Sequence, residues 1–267
     1  MRHTSEPRPA WRLLDTPPAP GAWNMAVDEA LAESVRAGGA PVLRVYRWAP
    51  ACLSLGRNQP ARGRYDADAL AARGVDVVRR PTGGRAVLHD RELTYAAALP
   101  DGALGGPRET YAALNRALVA GLRRLGVPAA LQPGTEGRAP PPSLAPCFDQ
   151  PVEGEVVAAG RKLVGSAQRR FEGVLLQHGS LLIDDDQSAV AALLAAPSDP
   201  DAGGAPASLV SLLGHAPAWD ALVDALAAGW AEALGVALDK GALTGAERER
   251  AEALAERYAS PAWTWHL

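Results

Sequence analysis

Between Gln132 and Pro151 the chain carries Pro133, Pro140, Pro141, Pro142, Pro146 and Pro151 together with Gly134 and Gly137. Neither a helix nor a central strand runs through residues that lock φ or remove the amide donor at this density. The fold must therefore be assembled from the segments on either side of this stretch, with the stretch itself as a connection. Connections of this length inside a domain are either disordered or functional.

On the near side, Asn24 offers a capping side chain ahead of the helix formers Met25 to Ala32, with Asp28 and Glu29 early, which predicts a helix beginning there. Val42 to Tyr46 and Cys52 to Leu55 read as short strands separated by Pro50 and closed by Gly56. Val75 to Val78 and Leu93 to Leu99 read the same way. From Glu109 to Leu125, Tyr111, Leu114, Leu118, Leu122 and Leu125 recur at spacings of three and four, so one helical face is apolar, and Gly126 and Pro128 end it. Beyond the proline stretch, Glu155 to Ala158, Lys162 to Gln168 and Val174 to Ile183 have strand character, the last interrupted at His178 and Gly179. Helices are expected over Ala189 to Ala195, Trp219 to Leu234 and Ala246 to Tyr258. Strands interleaved with helices predict an α/β (α+β) architecture.

With 267 residues, 48% of them hydrophobic, one chain of this length buries a sizeable core, and the reading is a single domain over 11–263 behind a tail at 1–10. A formal charge of -3, with Arg interspersed among Asp and Glu, argues against a nucleic-acid partner. Two cysteines, Cys52 and Cys147, are too few for a disulfide scaffold or a multi-thiolate zinc site and suit a reducing cytoplasm. Residues 1–11 lack a signal-peptide core, and no apolar stretch is long enough to span a bilayer, so a cytoplasmic protein with no membrane association is expected.

Several residues carry possible chemistry. Cys147, between Pro146 and Phe148, is either a small apolar residue tucked against the ring or an accessible nucleophile. Lys162 opens an apolar run after the turn-like Ala159-Gly160-Arg161; it is either a lysine guarding a strand edge or an ammonium held to offset charge on a thiolate or a carbonyl oxygen. Arg79-Arg80-Pro81-Thr82-Gly83-Gly84-Arg85 places a glycine pair directly after a strand, where backbone N–H groups can face a substrate oxygen, or forms only a tight turn with exposed arginines. Its spacing matches neither the dinucleotide fingerprint nor the Walker loop. His89 and His178-Gly179 lack metal-ligand spacing and read as structural or pocket-lining. Cys52, inside an apolar run, reads as core.

Taken together, these segments resemble the lipoate-protein ligase and octanoyltransferase family, which is related in fold to biotin-protein ligases. The resemblance rests on Trp11 to Thr16, Asn24 to Ala30, Leu43 to Trp48, Ser54 to Gln59, Arg79 to Asp90, Gly160 to Arg170, Gln177 to Leu182 and the tail around Tyr258 to Trp263, in that order. It implies a mixed, mainly antiparallel sheet flanked by helices. It also implies that Lys162 contacts the acyl carbonyl, and that Arg79, Arg80, Gly83, Gly84, Arg85, His89, Gly165, Ser166, Ala167, His178 and Gly179 line the substrate site. Cys147-Phe148 ahead of the lysine strand resembles the LipM-like branch of octanoyltransferases, in which a loop cysteine carries the acyl group.

The activity implied is transfer of octanoyl from acyl carrier protein to a lysine of a lipoyl domain, in the glycine-cleavage H protein or the E2 subunit of a 2-oxoacid dehydrogenase. No cofactor or metal is implied, and a monomer is expected. Arg79, Arg80 and Arg85 would form a local patch for acidic partners if exposed together. An ATP-dependent ligase, an amidotransferase between lipoyl domains and a non-catalytic homologue are the alternatives. One departure from the branch is that Gly154-Glu155 stands where a Tyr-Glu pair is usual, which implies a differently shaped acyl pocket.

Overall fold

A computed structural model describes residues 9–134, 148, 152–185, 187–196 and 205–267. In chain order the elements are β1 (Ala10–Asp15), α1 (Gly21–Arg36), β2 (Val42–Tyr46), β3 (Cys52–Leu55), α2 (Ala67–Ala72), β4 (Asp76–Arg79), β5 (Val87–His89), β6 (Glu92–Pro100), α3 (Pro107–Arg124) and β7 (Ala129–Leu131). After the proline-rich stretch come β8 (Val156–Ala158), β9 (Arg161–Phe171), β10 (Val174–Leu182), α4 (Leu209–Leu213), α5 (Trp219–Leu234), β11 (Ala237–Gly241), α6 (Gly245–Ala259) and α7 (Pro261–Thr264), with a 3-10 turn over Ser188–Leu193. Eight strands form one sheet in the order β11-β1-β2-β6-β10-β9-β8-β7, and β4-β3-β5 form a second. In the large sheet the two pairings of β1, with β11 and with β2, are parallel and the other pairings are antiparallel, so the sheet is mixed and mainly antiparallel.

The large sheet is covered on both faces, which is why its central strands lack a polar side. In β6, Leu93, Tyr95, Ala97 and Leu99 pack into a core with Leu114, Leu118 and Leu122 of α3 and Leu222, Leu226 and Trp230 of α5. The intervening Ala96 and Ala98 pack on the opposite face with Met25, Val27 and Leu31 of α1 and Leu254 and Tyr258 of α6. This period-two alternation pins the register, because a slip of one residue would exchange the two faces. A third cluster, including Leu53, Leu55, Leu70, Leu88, Val190 and Leu193, fills the space under the small sheet.

The start of the first helix and the course of β10 differ from the sequence expectation. The first helix starts at Gly21, not after Asn24, and its Gly21 amide is capped by Asp76 Oδ2 at 2.9 Å, from a residue 55 positions away. Asn24 is instead buried inside the first turns, its amide donating to the Ala19 and Arg47 carbonyls. Strand β10 passes through His178 and Gly179 without a break, paired with β6 on one side and β9 on the other. Of the proline-rich stretch, 135–147 and 149–151 lie outside the described residues.

Candidate active site

The strands of the two sheets and α1 converge on an apolar pocket enclosing about 430 Å³, counting the part open to solvent. Its mouth lies where the exposed Gly84 faces the half-buried Ser166 and Ala167 of β9. Its depth is walled by Met25, Tyr46, Trp48 and Thr94, all buried, so the pocket is a slot running from the glycine turn towards α1. Gly84 has φ +90°, a conformation that an L side chain rarely adopts. The turn also sits so tightly on Gly56 that a Cβ at Gly56 would lie 1.9 Å from the Gly84 carbonyl oxygen.

Behind this apolar lining lies a buried polar network that holds the walls together. The Arg44 guanidinium, fully buried on β2, donates to Asp28 Oδ1 at 2.7 Å, to Asn24 Oδ1 at 2.8 Å and to Thr16 Oγ1 at 3.0 Å. Asp28 Oδ2 accepts from Tyr46 Oη at 2.9 Å and lies 2.9 Å from His178 Nδ1. Burial alone would raise the Asp28 carboxyl, but the His178 hydrogen bond and the Arg44 charge outweigh it and hold the group below the usual carboxylate range. For His178 burial wins over the attraction of Asp28, so its pKa is lowered and the ring is neutral at neutral pH. An ionised Asp28 only accepts, hence Nδ1 carries the proton and Nε2 accepts from Thr82 Oγ1 at 2.6 Å. That bond stitches β10 to the turn that forms the pocket mouth.

A second chain of contacts fixes His89. Its ring stacks on Trp48 with centroids 4.1 Å apart, and Nε2 lies 2.7 Å from Ser54 Oγ, which accepts from Arg80 at 3.1 Å. Trp48 Nε1 donates to Thr94 Oγ1 at 2.7 Å.

Of the residues expected to line the site, the structure brings Arg80, Gly84, His89, Gly165, Ser166, Ala167, His178 and Gly179 to the pocket. Gly83 and Arg85 stand just behind its mouth, their carbonyls accepting from Arg80 at 2.7 Å each. Arg79 lies elsewhere. Its guanidinium donates to the backbone carbonyls of Gly56, Gln59 and Thr264, tying the C-terminal helix to the loop after β3. An exposed patch of Arg79, Arg80 and Arg85 is therefore not what the fold makes, because Arg79 is fully buried, Arg80 is 5% exposed, and both donate mainly to backbone carbonyls. Cys52 is core, its thiol pushed well up by burial.

Lys162 is 3% exposed on β9, three residues from Gly165 at the pocket wall, with Nζ 2.6 Å from Glu155 Oε1. The Phe148 ring is 5.3 Å from that ammonium, and a Cβ on Gly165 would lie 3.1 Å from the ring. Cys147 itself lies outside the described residues. Gly154, in place of the expected tyrosine, has φ +81°, and a Cβ there would stand 3.7 Å from the ring of Tyr111, so an aromatic from α3 covers this corner. Sequence reasoning left out Met25, Tyr46, Trp48, Ser54 and Thr94, which arrive from four different elements and the loop after β2 with no shared local signal. It also left out the role of Asp28, for which an acid amid buried helix residues was an available hint. Among the described residues, no group of three or more His, Cys, Asp or Glu is placed to hold a metal ion.

Residues 20–226 match the lipoyl protein ligase A/B catalytic domain, and the chain belongs to that family. It is 46% identical over 269 residues to the octanoyltransferase LipM of Kyrpidia tusciae, covering 96% of this chain and 98% of that one. Among solved structures, a Thermoplasma acidophilum lipoate protein ligase with bound lipoic acid superposes with a TM-score of 0.79 at 26% identity, covering 97% of this chain and 99% of that chain. A bipartite lipoate protein ligase studied with its E2 lipoyl domain, also from T. acidophilum, gives 0.78 at 25% identity, covering 97% of both chains.

Proposed function

We propose that the protein is an octanoyltransferase of lipoate biosynthesis, moving octanoyl from acyl carrier protein to a lysine of a lipoyl domain through a thioester on Cys147. The observation that carries this reading is the buried Lys162 beside Phe148, the residue after Cys147, and next to Gly165, which lines the apolar slot. The name of the Kyrpidia tusciae relative agrees with it, and the T. acidophilum ligase was studied with an E2 lipoyl domain, the kind of acceptor proposed. No described helix is long and apolar enough to cross a membrane, and a chain with two cysteines suits the cytoplasm in which carrier and lipoyl domains meet.

The Cys147 thiol gives up its proton and attacks the thioester carbonyl as the thiolate, the carbon–sulfur bond of the donor breaks, and the departing pantetheine sulfur takes up that proton. The lipoyl-domain amine then attacks the acyl-enzyme, the bond to Cys147 breaks, and the proton lost by the new amide nitrogen returns to the cysteine sulfur. Exchange between thioesters is nearly isoenergetic and conversion to an amide runs downhill, so the cycle needs no nucleotide. Lys162 offsets the charge that develops on the acyl oxygen. The apolar slot takes the alkyl chain out of water, at about 0.8 kcal/mol per buried methylene.

Intact-protein mass after incubation with octanoyl-acyl carrier protein, without ATP, tests the reading. The expected result is one octanoyl adduct that maps to Cys147, chases onto an apo lipoyl domain, and disappears in Cys147→Ala. Transfer that appears only with free octanoate or lipoate and ATP would make the protein a ligase.

A further inference from the structure

Lys162 does not stand by itself in this corner, and how it is held has a consequence for the reaction. Glu155 contacts it at 2.6 Å through Oε1, while Oε2 accepts from the Val152 amide at 2.9 Å. The backbone of Glu155 is itself clamped, since its carbonyl accepts from Gln132 N at 2.7 Å, and the preceding Gly154 is fixed by Asn115 Nδ2 at 2.8 Å. Both members of the pair are buried, Lys162 at 3% and Glu155 at 6% exposure. An ammonium taken out of water costs several kcal/mol unless a carboxylate meets it in good geometry.

We propose that Glu155 is a positioning residue for acyl transfer, fixing the charged Lys162 against the pocket wall at Gly165 so that its ammonium meets the acyl oxygen without reorganising. This rests on the octanoyltransferase reading and extends it to a residue that touches no substrate. Around Glu155 the charged groups that act on it are Lys162 and, more weakly, Arg85 from the turn at the pocket mouth. Burial is the leading influence on its carboxyl and raises it against the opposing pull of Lys162, which marks a carboxylate sustained mainly by that lysine.

The experiment compares wild type, Glu155→Gln and Glu155→Asp in octanoyl transfer from acyl carrier protein to an apo lipoyl domain across pH, with thermal melts to establish folding. Wild-type transfer by itself checks the parent reading, independently of the variants. Glu155→Gln is expected to transfer about 100-fold more slowly, the scale of a catalytic group displaced by about 1 Å. The basic limb of its pH–rate profile is expected to move to lower pH, since the buried ammonium loses its counter-charge. Glu155→Asp keeps the charge but not the reach; it is expected to lose less rate and to keep the basic limb close to wild type. A merely structural role would change the melt and leave the pH profile in place. A folded Glu155→Gln with wild-type rate and profile overturns the proposal, and if that variant does not fold, a wild-type rate in Glu155→Asp does so instead.

Discussion

Two ion pairs are buried along the same pocket, and they are built differently. Asp28 of α1 is held by Arg44 and Tyr46 of β2 and His178 of β10, and Arg44 and His178 have further bonds of their own. At the other corner, Glu155 and Lys162 lie seven residues apart, on two neighbouring strands and their approach, beside a single ring. Charges locked by many partners from distant elements specify a shape and are costly to disturb. A pair whose two members are close in sequence keeps a charge where chemistry needs it. The first site is expected to govern stability and the second turnover.

Arg44→Met breaks this comparison most severely. It leaves Asp28 buried with only neutral donors, a loss of about 3–5 kcal/mol, read as a fall in the urea midpoint. Its counterpart, Lys162→Met, leaves a Glu155 carboxyl already raised by burial, which takes up a proton instead of remaining an unpaired charge. That variant is expected to melt near wild type and to lose at least about 100-fold in transfer rate. If Lys162→Met proved the less stable of the two and Arg44→Met the less active per folded molecule, the division of labour would be wrong.

The same contrast explains what could be read from the sequence. Strands β2 and β3 and helix α5 fall where periodicity puts them, because each is set by its own apolar pattern. Strand β11, Ala-Leu-Asp-Lys-Gly, has no such pattern and exists through its parallel pairing with β1, a contact across more than 220 residues. The three-residue β5 was hidden inside the glycine motif. His178 looked like an interruption because the sequence does not show that Asp28 and Thr82 satisfy both ring nitrogens inside the sheet. At the site, motif resemblance reached residues that the fold brings to the mouth, whereas the deep wall and the contact of Glu155 with Lys162 depend on packing. Arg79 and Arg80, adjacent and alike in sequence, are separated only by which carbonyls the fold offers each.

A milder test compares the Asp28 network with a pair at the edge of the sheet. Arg12 on β1 donates to Glu247 on α6 at 2.5 Å, with the arginine still partly exposed. Burial alone would raise Glu247, but hydrogen bonds from Arg12, the Thr244 amide and Ser34, with the Arg12 charge, lower it to about 2. A carboxyl depressed in the folded state contributes stability above its unfolded value near 4.5, and that stability is lost as pH falls towards about 2. After allowance for solvent screening, Glu247→Gln is expected to cost about 2 kcal/mol at pH 7. The difference from wild type should close between pH 4.5 and 2 in acid unfolding. A gap that stays constant across that window would show that the pair contributes packing and not charge.

The smallest expected effect belongs to the stitch between network and mouth. Thr82→Val removes the hydroxyl that donates to His178 Nε2 at 2.6 Å and keeps the shape of the side chain. A buried acceptor left unpaired costs about 1–2 kcal/mol, well below the loss for Arg44, because His178 keeps its bond to Asp28 and no charge is stranded. Since Thr82 lies between Pro81 and the Gly83-Gly84 pair, the freed turn should raise KM for the acyl donor several-fold while the rate of the chemical step at Lys162 is held. Thr82→Ser, which restores the donor, is expected to return KM towards wild type. A fall in kcat with KM unchanged would instead tie the turn to the lysine corner, and the two sites would have to be treated as one.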